Sequence, residues 1–111
     1  MSPLAAWLSA LVFTLVVEAP VYRRALRATP RGARWAPWLS LPTHPVVFFV
    51  FPAAWPGSGL TQTLAAEAFA VLAEGWLLRR LGASRPLAWA LAANAASAGL
   101  GLVSRWWFGW P

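Results

Sequence analysis

Four apolar segments separated by arginine-bearing loops constrain this chain more than any other feature. They run over about residues 3–22, 39–55, 60–78 and 86–104. A helix rises about 1.5 Å per residue, so about 20 residues reach roughly 30 Å, the thickness of a bilayer's hydrocarbon core. The sequence is 59% hydrophobic and 11% charged, against about a quarter charged in soluble domains. Too few polar side chains remain to coat a water-soluble globule. The expected fold is all-α: a single transmembrane domain, 1–111, built as a polytopic membrane helix bundle of four spans.

Arginine placement predicts the orientation. All nine basic residues are Arg, the three acidic residues are Glu, and the net charge is +6. Arg23, Arg24, Arg27, Arg31, Arg34, Arg79, Arg80 and Arg85 lie in two loops, and only Arg105 follows the last segment. The positive-inside rule puts both loops in the cytoplasm and both termini outside, in an inner (plasma) membrane. Trp35, Trp38, Trp106, Trp107 and Trp110 stand where interfacial aromatics belong. A basic chain also suggests nucleic acid, but these arginines punctuate apolar segments, so no nucleic-acid partner is expected. Cysteine is absent, which removes disulfides and thiolate metal sites. The first segment lacks a basic n-region and a small-residue cleavage site before the Arg cluster, and reads as a retained helix.

Proline shapes the second segment. Pro42, Pro45 and Pro52 fall inside it and Pro56 just beyond. Pro45 suits a first helical turn with Thr43 or His44 near its N-cap, and a helix over 45–55 reaches only about 16 Å. This span is expected to be short or broken by Pro; the alternative is a full-length kinked helix. In the first segment Pro20 frees the carbonyl of Val16 and marks a kink or a helix end. In the fourth, Ala93, Ser97 and Gly101 recur every four residues, a small-residue face that lets helix backbones approach.

Ionisable groups inside hydrocarbon cost several kcal/mol and mark candidate sites. Glu67 and Glu74 are seven residues apart, two turns along one helix face. Counting from the loops puts Glu18, His44 and Glu74 in an inner layer, the two acids roughly 7 Å from the cytoplasmic face. Glu67, Asn94 and Ser97 fall in a deeper layer, with Glu67 near the midplane. These six residues are the candidate polar site. Glu67 carries the strongest functional expectation, because nothing at that depth neutralises it. Glu18 and Glu74 have a simpler alternative, pairing with Arg23, Arg24, Arg79 or Arg80. Asn94 has one as an interhelical hydrogen-bond donor, and His44 as a cap or core group.

The expected function is proton- or cation-linked transport or sensing. A proton or a divalent cation is the candidate occupant, with His44, Glu67, Glu74 and Glu18 as candidate metal ligands. The Glu-x-x-His pair of carboxylate metal bundles is absent. The alternatives are a membrane enzyme or metal-binding protein using the same Glu/His cluster, and a structural subunit of a membrane complex assembled through the fourth segment. One copy of this length scarcely encloses a transport path, so a homo-oligomer or a partner membrane subunit is expected within the lipid bilayer.

The set Glu18-Ala-Pro-Val-Tyr22, Thr43-His44-Pro45, Glu67-x6-Glu74 and Asn94-x-x-Ser97 resembles a pattern in small uncharacterised prokaryotic four-span membrane proteins. The resemblance covers most of the chain. It implies a shared polar core and no assigned activity.

Overall fold

Ser2 and Pro3 start the first helix: the Ser2 hydroxyl accepts the Ala5 N–H at 3.1 Å, and proline at the first turn gives up only a donor that no helix uses. A computed structural model, describing every residue except 1, 56, 58 and 111, carries this helix, α1, over Pro3–Ala25. Pro20 lies inside α1 and does not end it. The residues after Pro20 continue for more than a turn, and Leu26 N–H still reaches the Tyr22 carbonyl at 3.0 Å.

Four short helical pieces follow. They are α2 (Pro30–Ala33), a 3-10 turn over Ala36–Trp38, a π turn over Val46–Val50, and α3 (Phe51–Ala54). The second apolar segment therefore forms no long helix, as its prolines predict. Phe51 N–H bonds the Val46 carbonyl, five residues back. This wider turn precedes Pro52, which has no N–H to donate and whose ring clashes with the carbonyl four residues earlier in a regular helix. Thr43 and His44 make no side-chain cap here.

Two long helices complete the chain, α4 (Gly59–Arg80) and α5 (Pro86–Phe108). Arg79 and Arg80 occupy the last turn of α4, where the helix dipole favours cations. Pro86 opens α5, and Gly109 closes it at φ 67°, a left-handed cap that glycine adopts without strain. The structure is all-helical, with no strand among the described residues. By length and apolar composition α1 and α5 are able to cross a membrane.

α5 packs against both α1 and α4, the 3-10 turn lies on α1, and the π turn and α3 lie on α4. The buried positions of α4 include Ala66, Ala70, Glu74 and Leu78, each four residues apart and so on one stripe. A Cβ on Gly75 would stand 2.8 Å from Leu87 Cδ2, so glycine sets the close approach of α4 to α5. The small-residue face of α5 is used within the chain: Ser97 bonds Glu18 of α1, and a Cβ on Gly101 would lie 3.6 Å from the Phe13 ring. This face of α5 thus meets α1 within the chain.

The two arginine loops meet at one end of the helices. The Leu81 carbonyl oxygen stands 2.9 Å from where a Gly32 Cβ would be, and Thr29 Cγ2 stands 3.1 Å from that of Gly82. Backbone cannot swing aside as a side chain can. Gly32→Ala is expected to pry the loops apart and destabilise the protein by about 1–3 kcal/mol, the usual range for overpacking. Thermal unfolding of the purified variant in mild detergent checks this; an unchanged midpoint would refute the close contact.

Large apolar side chains face outward. Leu4, Leu8, Val12 and Val16 form an exposed stripe on α1 at four-residue spacing, and Leu60, Leu64, Leu87 and Leu91 are exposed on α4 and α5. Glu18, Ser40, Thr43, Glu74 and Asn94 are buried.

Candidate functional site

The three long helices and the chain between the 3-10 turn and the π turn each send polar side chains to one buried region. α1 contributes Glu18 and Tyr22, four residues apart on one face. α4 contributes Glu74, and α5 contributes Asn94 and Ser97. The chain between the 3-10 turn and the π turn contributes Ser40 and Thr43, held in a turn in which His44 N–H bonds the Ser40 carbonyl at 3.0 Å.

Glu74 is the hub. Its Oε1 accepts from the Tyr22 hydroxyl and from Asn94 Nδ2 at 3.1 Å. Its Oε2 accepts from Thr43 Oγ1 at 2.5 Å. Asn94 Nδ2 also lies 3.3 Å from Tyr22 Oη and donates to the Ala90 carbonyl at 2.9 Å. Glu18 forms a second centre, accepting from Ser40 Oγ at 2.5 Å and from Ser97 Oγ at 2.5 Å. Both carboxyl groups belong to residues only 1% exposed. Among the described residues the donors that reach them are hydroxyls and one amide, with no cation, and the two carboxyl groups lie against each other.

A cavity of about 70 Å³ opens beside the two acids, lined also by His44, Glu67, Asn94 and Ser97. All six candidate residues therefore border one space. His44 stacks on Phe48, ring centroids 6.2 Å apart, and its buried Nδ1 has no hydrogen-bond partner among the described residues. Glu67 sits about 10 Å further along α4 than Glu74, by the rise of seven residues. It is half-buried, has no hydrogen bond among the described residues, and lines two spaces. One is the polar cavity; the other is an apolar groove of about 400 Å³ between α4 and α5, floored by Val71, Leu72, Leu91 and Ala98.

Three expectations change. Glu18 and Glu74 do not pair with Arg23, Arg24, Arg79 or Arg80; both turn inward to neutral donors. The two polar layers merge, since Asn94 bonds Glu74 and Ser97 bonds Glu18 directly. Glu74 is six residues from the end of α4 and Asn94 eight from the start of α5, a rise difference of roughly 3 Å that the Asn94 side chain spans. The weight also shifts from Glu67 to Glu74: Glu67 stands at the cavity's edge, and Glu74, nearer the loops, holds the network. His44, Glu67, Glu74 and Glu18 share the cavity; among the described residues no group of three or more His, Cys, Asp or Glu is placed to hold an ion.

Tyr22, Ser40 and Thr43 are network members absent from the candidate set. Tyr22 was signalled by its position one turn after Glu18. Thr43 was signalled by the Thr43-His44-Pro45 motif, whereas Ser40 lies in chain that no helical period governs, so only the fold brings it in.

What fold and site define is a helical protein with buried acids bound by neutral donors. No family model, curated protein or solved structure matches the chain.

Proposed function

We propose that this chain is an integral membrane protein in which Glu18 and Glu74 form a proton-binding site linked to transport or sensing. The observation that carries this reading is the inversion of polarity: Leu and Val stripes outside, two acids 1% exposed inside. Moving a carboxylate out of water without a cation costs several kcal/mol. A bound proton removes that cost, and its uptake and release become the working step. The cavity is large enough for water or a small ion and falls well short of the roughly 300–1,000 Å³ of organic-ligand sites. This favours a proton or small cation over a lipid-borne enzyme substrate. His44 and Glu67, at the borders of the cavity, are the relay positions.

In this reading α1, α4 and α5 cross the bilayer as helices and the broken second segment makes the fourth crossing, with irregular backbone buried against protein as the bilayer requires. The arginine loops are cytoplasmic and both termini outside. A second copy or partner subunit completes the path that one copy does not enclose.

Purified protein in vesicles loaded with a pH-sensitive dye tests the reading. Under an imposed potential, wild type is expected to move protons faster than empty vesicles. Glu18→Gln with Glu74→Gln is expected to slow this by about tenfold or more, about 1.4 kcal/mol or more in barrier. Equal rates for wild type, the double variant and empty vesicles would overturn it.

A further inference from the structure

We infer that the surface joining the 3-10 turn to the end of α4 is a binding site for an anionic phospholipid. An apolar groove of about 350 Å³ runs there between Trp35, Trp38 and Leu41 on one side and Leu77 and Leu81 on the other, with Arg80 at its edge. A second recess, lined by Arg34, Trp35 and Trp38, adjoins it through the two shared tryptophans. The groove thus has an apolar floor with Arg80 at its edge, and Arg34 lines the recess that adjoins it.

The floor is open: Trp35 is 49% and Trp38 52% exposed. The arginines are held in place by aromatic faces. Arg34 lies over the Trp35 ring at 5.8 Å, and Arg80 over the Trp76 ring at 5.7 Å, within the range of cation–π attraction. Neither is consumed by an internal acid. Glu18 and Glu74 are spent on Ser40, Ser97, Tyr22, Thr43 and Asn94, and among the described residues no Arg–Glu ion pair forms.

An acyl chain fits the Trp and Leu floor, and the phosphate of its headgroup meets Arg34 or Arg80. A zwitterionic lipid offers the same chain with its phosphate charge already balanced, so charge complementarity selects the anionic lipid. The position agrees, because basic pockets beside interfacial tryptophans at the cytoplasmic face are where anionic headgroups lie. The inference rests on the membrane reading above but not on the proton-binding role of Glu18 and Glu74.

Native mass spectrometry of detergent-purified protein with phosphatidylglycerol or phosphatidylcholine of identical chains tests it. One phosphatidylglycerol is expected to be retained about tenfold more strongly than phosphatidylcholine, by the attraction of the flanking arginine to its uncompensated charge. Arg34→Gln with Arg80→Gln should erase that preference, and Trp38→Ala should weaken retention of both lipids. Circular dichroism confirms that the variants keep their helix. Equal retention of the two lipids by wild type, or a preference unchanged in the double Arg variant, overturns the site. A dimer that disperses on Trp38→Ala without lipid selectivity overturns it in favour of a second copy. Wild type that fails to insert into phosphatidylcholine vesicles overturns the membrane reading itself; insertion without lipid preference overturns the lipid site alone.

Discussion

Glu74→Ala is expected to cost about 3–5 kcal/mol of stability, the largest single effect in this chain. The substitution removes the acceptor for Tyr22, Thr43 and Asn94 at once. Those donors stay buried, because Tyr22 is fully enclosed and Thr43 and Asn94 are only 4% and 5% exposed. A buried donor left without a partner loses about 1–3 kcal/mol. Asn94 keeps the Ala90 carbonyl and Thr43 keeps the Ser40 carbonyl at 3.1 Å, so the total falls below the sum of three orphaned groups. Glu74→Gln keeps the shape and one acceptor and is expected to cost about 1–2 kcal/mol. Unfolding in mixed detergent, followed by tryptophan fluorescence, gives both numbers. An alanine variant within about 1 kcal/mol of wild type would mean that the network contributes little.

The sequence made some of this arrangement visible and hid the rest for physical reasons. Helix starts and stops follow from local chemistry: Pro3 and Pro86 open helices, Gly109 closes one, and the prolines of the second segment keep it short. The polar residues are also visible, because a Glu in an apolar run demands explanation wherever it lands. Depth counting errs where helices and loops differ in length. It separated Asn94 from Glu74 by the distance from their loops, without the reach of the Asn side chain or the extra residues of 81–85 that displace the start of α5. It also ranked Glu67 above Glu74 because depth alone measures the penalty. Position along the helix, and what packs there, decides whether the penalty is met inside. Glu74 and Glu67 share a face, but Glu74 stands where Tyr22, Thr43 and Asn94 reach it, whereas Glu67, two turns nearer the start of α4, is half-buried between cavity and groove. Ser40 and Thr43 had no periodic neighbour to place them, so their pairing with the acids was unreadable before the fold was known.

Glu18 is expected to separate hydrogen bonding from charge. Ser40 and Ser97 reach it through hydroxyls, and a hydroxyl donates or accepts by rotating. A glutamine at position 18 therefore finds a partner for its amide nitrogen as well as for its oxygen, and Glu18→Gln should stay within about 1 kcal/mol of wild type. Glu18→Ala leaves both serines facing an empty space where a side chain stood, and should cost about 2–4 kcal/mol. Charge acts in the opposite sense. Glu18 and Glu74 border one cavity with no cation bonded to either, so neutralising one acid removes whatever repulsion the pair retains. A double-mutant cycle between Glu18→Gln and Glu74→Gln isolates that contribution, and neighbours of this kind couple by about 0.5–3 kcal/mol. A loss from Glu18→Gln as large as that from Glu18→Ala would exclude the serine-rotation account.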